Sequence, residues 1–179
     1  ENVTVHRGTS TGQMATRVGS NCFIMIGAHI AHDCQIGDNV TLVNSVALGG
    51  HVTVGEGAII GGLSAVHQFV RIGAYAFVGG MSGVAADLIP YGMALGNRAT
   101  LNGLNIIGLR RQGFPREQIH EVRKAYRMLF SSEGTMKEQL EDVEAMFSAN
   151  ELARQIIDFI KSDTDRQFCV PSNVASPSR

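Results

Sequence analysis

An aliphatic residue recurs every six positions from Val18 to Val84 without a missed step: Val18, Ile24, Ile30, Ile36, Leu42, Leu48, Val54, Ile60, Val66, Ile72, Val78 and Val84. The residue after each is usually Gly or Ala, and the fourth after each is small or β-branched, as in Cys22, Ala28, Cys34, Val40, Val46, Val52 and Ala58. An amphipathic helix repeats at about 3.6 residues and a half-buried strand at about 2, so a strict period of six excludes a long helix. It is the hexapeptide signature of a parallel β-helix, in which one aliphatic side chain per hexad points inward and three hexads close a triangular coil.

Composition agrees with that architecture. Glycine supplies 21 of the 179 residues, Pro only 4, and Trp is absent, which favours tight backbone positions over a large aromatic core. A formal net charge of -1 gives no electrostatic footprint for nucleic acid. Cys22, Cys34 and Cys169 are odd in number and lack CxxC spacing, so neither a disulfide framework nor a zinc ribbon is indicated. Cys22 and Cys34 are expected as small inward-facing side chains, and a reducing, cytoplasmic compartment is the default. No apolar run approaches the length needed to span a bilayer. The chain begins without Met, already inside a β-like pattern, and is expected to be the C-terminal part of a longer protein.

The period fails near Pro90, which sets the expected organisation: a β-helix over 1–90, a connecting loop over 91–113, a helical domain over 114–168 and a disordered tail over 169–179. Pro115 stands where a first helical turn tolerates proline, followed by Ile119, Val122, Tyr126 and Leu129 at helical spacing. Thr135 opens a second helix. Ser148, with Glu151 three positions on, reads as the capping box of a third.

Polar candidates acquire positions once the chain is wound at 18 residues per coil. His32, Gly50 and Gln68 fall in one column, with His51 and His67 on either side of it, so three imidazoles gather along one edge of the prism. The stretch "AHIAHDC" also holds His29, Asp33 and Cys34, a set that suits either an acid–base pair or a metal. Three histidines with no carboxylate beyond Asp33 match no familiar zinc spacing, and no metal or other cofactor is expected. His6 lies below a break in register whose surplus is one residue or seven; with seven it joins the same edge. Triangular prisms associate naturally about a three-fold axis, which places the expected site in a cleft between subunits.

"VTVHRGT", "GAHIAHDC", "GGHVTV", "IIGGLSAVHQF", "VGGMSGVAAD" and "GLNIIGLRRQGF" together resemble the UDP-N-acetylglucosamine 3-O-acyltransferases of lipid A biosynthesis. The resemblance runs from Glu1 through the first C-terminal helix. It implies a left-handed β-helix with a helical C-terminal domain, further N-terminal coils, a homotrimer, and transfer of an R-3-hydroxyacyl group from acyl carrier protein to the sugar 3-hydroxyl. His32 matches the general base and Gly50 a backbone donor to the developing oxyanion; Asp33 reads either as a residue that orients the base or as a solvated turn carboxylate. His29, His51, His67 and Gln68 match the substrate cleft, and Asn105 and Arg111 positions linked to the nucleotide. Gly80 matches the position that measures acyl length. Arg123, Lys124 and Arg127 resemble a docking surface for the acidic carrier protein. Gln112 stands where a basic residue is expected and Arg98 where a histidine is common. A zinc enzyme resembling the γ-carbonic anhydrases and the N-acyltransferase acting later in the same pathway are the alternatives.

Overall fold

The computed structural model describes residues 1–131, 134–162 and 166–172. Two-residue strands follow one another every six positions, from Arg17–Val18 to Gly83–Val84, and pair in parallel across three faces. The first face holds Thr4–Val5, His29–Ile30, Ala47–Leu48, Ala65–Val66 and Gly83–Val84. The second holds Arg17–Val18, Gln35–Ile36, Thr53–Val54 and Arg71–Ile72, and the third Phe23–Ile24, Thr41–Leu42, Ile59–Ile60 and Phe77–Val78. Ile30 pairs with Leu48 and Leu48 with Val66, so rungs are 18 residues apart, as the period requires.

From Ile30 onward every aliphatic of the six-residue series is buried. Cys34 lies fully inside and Cys22 partly so, their thiols turned to the carbonyls of Gly49 and Gly37. One residue per corner takes a left-handed backbone conformation, and along the edge between the first and second faces these are Asp33, His51 and Phe69, with φ of 60°, 61° and 65°. The β-helix therefore carries its polar side chains on corners whose geometry is fixed by hydrogen bonds between coils, such as His51 N–H to His32 O at 2.9 Å.

Val5 pairs with Ile30, twenty-five positions on, so the surplus before Val18 is seven residues. They form a loop, and His6 sits on the rung below Ala31.

The stretch 91–113, expected as a loop, is largely regular. Gly92–Leu95 pairs antiparallel with Thr100–Leu104, a hairpin that extends the third face, and α1 follows at Ile106–Arg111. Asn105 starts that helix by accepting the Gly108 N–H. Antiparallel pairing needs no six-residue repeat, which is why the period vanishes here while the sheet continues.

Helix α2 (Arg116–Leu129) buries Ile119, Val122, Ala125 and Leu129 against α3 (Met136–Phe147) and α4 (Glu151–Lys161). Pro115 precedes the first turn as N-cap. The capping box lies at Thr135 and Glu138, where each side chain bonds the other's backbone N–H. Ser148 does not cap α4. Its N–H closes α3 on Glu144 O, and Asn150 instead accepts the Ala153 N–H while its amide donates to Gln118 O and Glu121.

The expected tail is ordered at its start. Phe168 bridges to Asp87, Cys169 N–H donates to Asp87 O, Leu101 N–H donates to Val170 O, and Cys169 and Val170 are buried. These apolar residues close the gap between the last coil and the hairpin, and burial pushes the Cys169 thiol up to about 11. Residues 173–179 lie outside the described residues.

Candidate active site

The edge between the first and second faces brings His32, Asp33, Gly50, His51, Gln68 and Phe69 onto successive coils. His32 Nδ1 lies 2.9 Å from Asp33 Oδ2, with the carboxylate fully buried and the imidazole 39% exposed. Asp33 is thus no solvated turn residue. Its backbone N–H donates to Thr16 Oγ1 at 2.9 Å, and its carboxylate accepts the Thr9 hydroxyl at 2.7 Å and the Thr9 N–H at 3.1 Å. Burial works against ionisation, but the bonds from Thr9 and His32 and the positive potential of His51 outweigh it and hold the acid at about 2. An ionised Asp33 only accepts, so His32 donates through Nδ1 and keeps its Nε2 lone pair free to take a proton.

Gly50 earns its identity here. A Cβ on it would stand 2.6 Å from His32 Cε1 and 2.7 Å from Nε2, so any side chain would push the imidazole out of place. Its N–H finds no acceptor among the described residues. His51 packs edge-on to His32 at 5.0 Å and stacks on Phe69 at 4.5 Å with 8° between planes. His51 Nε2 is 3.9 Å from the same Asp33 oxygen.

His32, Asp33 and His51 have ligand atoms within 4.8 Å of one another and are the metal-capable cluster among the described residues. The Asp33 oxygens are already engaged by Thr9 and His32, which makes the carboxylate an anchor for the imidazole in this arrangement.

The remaining candidates are not all on this edge. His29 lies on the first face, hydrogen-bonded to the Thr4 hydroxyl at 2.7 Å and edge-on to His6 at 4.6 Å. Burial first, then the charge of His6, lowers its pKa. His67 turns to the Gln68 carbonyl at 3.1 Å. Gly80 occupies the opposite border of the first face. A Cβ there would meet Gly62 O at 3.3 Å and Gly62 N at 3.9 Å and nothing else within 4 Å, so the position opens outward. Asn105 caps α1 and donates to Tyr75 O at 3.0 Å. With Arg111, Gln112, Gly57 and Tyr75 it lines a cavity of about 290 Å³ beside the third face.

The basic residues of α2 divide. Arg123 joins Arg110, Arg116 and His120 around a cavity of about 420 Å³, whereas Lys124 and Arg127 border a groove of about 900 Å³ that also carries Glu138, Glu141 and Asp142. Sequence reasoning missed Thr9 and Thr16, which lie in and beside the seven-residue insertion; the register break was the signal that something other than a coil is built there.

Comparison with known proteins agrees with this arrangement. Residues 87–169 match the family described as UDP N-acetylglucosamine O-acyltransferase, domain 2, and residues 15–50 the bacterial transferase hexapeptide repeat. The acyl-(acyl-carrier-protein)–UDP-N-acetylglucosamine O-acyltransferase of Caulobacter vibrioides is 49% identical over 171 residues, covering 96% of this chain and 65% of its own length. The crystal structure of UDP-N-acetylglucosamine O-acyltransferase from Moraxella catarrhalis superposes with a TM-score of 0.89 at 39% identity, over 93% of this chain and 65% of that one. UDP-N-acetylglucosamine acyltransferase from Campylobacter jejuni gives 0.83 at 33% identity, over 99% of this chain and 69% of that one. The chain spans 62–65% of the length of the first curated relatives it matches. With its hexad coils, its helical C-terminus and these matches along almost its whole length, the chain belongs to the UDP-N-acetylglucosamine O-acyltransferase family.

Proposed function

We propose that the protein transfers an R-3-hydroxyacyl group from acyl carrier protein to the 3-hydroxyl of UDP-N-acetylglucosamine, the first step of lipid A biosynthesis, in the cytoplasm. The observation that carries this reading is the buried Asp33 holding His32 Nδ1 at 2.9 Å beside a Gly50 N–H that has no acceptor among the described residues. His32 Nε2 takes the proton of the sugar hydroxyl as its oxygen attacks the thioester carbonyl. The Gly50 N–H donates to the oxyanion of the tetrahedral intermediate. Collapse breaks the C–S bond, and the imidazolium returns its proton to the departing carrier thiolate.

His29, His51, His67 and Gln68 line the sugar and acyl path in this reading, and Asn105 and Arg111 hold the nucleotide, the guanidinium supplying paired donors to pyrophosphate. Gly80 sets acyl length by leaving the slot open. The catalytic edge, Gly80 and the Asn105–Arg111 cavity occupy different sides of one prism, so a single substrate reaches all three only where copies pack side by side. That favours a homotrimer with sites between subunits. Arg123 supports carrier docking best, since it lies with other cations; Lys124 and Arg127 share their groove with acids. The free cysteines Cys22, Cys34 and Cys169 accord with a reducing compartment. No helix among the described residues is long and apolar enough to cross a membrane.

The test is transfer from R-3-hydroxyacyl carrier protein to UDP-N-acetylglucosamine by wild type and His32→Ala, with bound zinc measured in the same samples. The expected result is a fall in kcat of roughly 10²–10⁴-fold in the variant with an unchanged circular dichroism spectrum. Stoichiometric zinc with no carrier-dependent transfer would replace this reading with a zinc enzyme.

A further inference from the structure

Asp33 is held from a segment that the six-residue period does not account for. The seven surplus residues before the second face leave the coil and fold back over the His32 edge. There Thr9 gives the carboxylate its shortest bond, Oγ1 to Oδ2 at 2.7 Å, and shares its N–H between Oδ1 and Oδ2 at 3.1 Å each. The approach is close enough that a Cβ on Gly12 of the same loop would stand 2.5 Å from Asp33 Cγ. Among the described residues, the imidazoles facing the carboxylate are His32, 2.9 Å away, and His51, 3.9 Å away, both toward Oδ2. Oδ2 therefore takes hydrogen bonds from the Thr9 hydroxyl and His32 Nδ1, while His51 stands beyond hydrogen-bond distance of the same oxygen.

We propose that Thr9 is a positioning residue: its loop clamps the Asp33 carboxylate on His32 and away from His51, so that His32 keeps its proton on Nδ1 and presents Nε2 as the base. The proposal rests on the acyl-transfer reading for its catalytic consequence, but the geometry it assigns to His32 can be read without any substrate. Thr9 touches Asp33 and not the reacting atoms. Its effect is transmitted entirely through the orientation and tautomer of the imidazole.

The experiment compares wild type, Thr9→Val and Thr9→Ser. Nitrogen-15 NMR of histidine-labelled protein near pH 8 reads the His32 tautomer, and steady-state kinetics of the transfer reaction read kcat and KM. Wild type and Thr9→Ser are expected to hold His32 in the Nδ1–H form, whereas Thr9→Val, which keeps the N–H but not the hydroxyl, shows a mixture with the Nε2–H form. In the kinetic arm Thr9→Val loses roughly tenfold in kcat, with KM within about twofold, and Thr9→Ser recovers it. An unchanged tautomer in Thr9→Val, or a Thr9→Ser variant as impaired as Thr9→Val, overturns the proposal. So does a Thr9→Val protein whose Ile30 and Ile36 amides shift, since the hydroxyl would then be holding the coil and not the pair. Wild-type protein without transfer activity would sink the acyl-transfer reading alone, and the tautomer would still decide the role of Thr9.

Discussion

Asp33 combines two unfavourable features, a left-handed backbone at φ 60° and a carboxyl with no exposure. Asp tolerates that backbone region better than most side chains because it bonds locally, and here the Thr16 hydroxyl and Thr9 complete the bonding. Its pKa is depressed to about 2 from the ordinary value of 3.8, so the folded state binds this proton less readily than the unfolded chain. The sign follows: the contribution of the ionised form is complete above about pH 5 and is lost as pH falls through 4 toward 2. Urea midpoints of wild type and Asp33→Asn measured across that range are expected to converge at the acid end; a constant gap would show that charge is not what Asp33 contributes. Gly50 makes the complementary point, because its missing side chain is room for the neighbouring imidazole.

Among the elements, the helices show how local signals are shared out. Ser148 followed by Glu151 satisfies the capping-box pattern, yet the backbone at Ser148 is still helical and serves α3. Asn150 begins α4 and also ties it to α2 through Gln118 O and Glu121. Asn150→Ala is expected to cost about 1–2 kcal/mol and Ser148→Ala less than about 0.5 kcal/mol in denaturant titrations. Equal losses would restore Ser148 as the cap. The strands of the coils behave differently: each is only two residues long, so none has meaning outside the stacked coil, and propensity along the chain says little about any one of them.

At the scale of the whole molecule, the helical domain and β-helix are fastened at Arg71, whose guanidinium donates to buried Asp87 at 2.6 Å and lies over the Phe159 ring of α4. That junction ties the C-terminal end of α4 to the coils, since Phe159 and the C-cap Ser162 both meet Arg71. The proposed cleft needs more than one copy, because its parts face different ways on a single prism. Sedimentation equilibrium is expected to give about three times the 19.2 kDa chain mass. A monomer that still turned over would remove the intersubunit cleft from the reading.

The sequence by itself determined the β-helix, because a period of six leaves one way to bury an aliphatic per hexad, and the spacing of 18 then placed His32, Gly50 and Gln68 in register. It also held the motifs that mark the family. Tertiary structure alone decided whether the surplus before Val18 was one residue or seven, since both satisfy the hydrophobic pattern. It likewise decided that the seven reach Thr9 over to Asp33, that the carboxylate is buried and not solvated, and that 91–113 carries a hairpin and a helix. These depend on contacts between residues far apart in the chain, which no local period records. The ordered start of the tail belongs with them: Cys169 and Val170 are apolar enough to be buried, but only the gap between the last coil and the hairpin gives them somewhere to go.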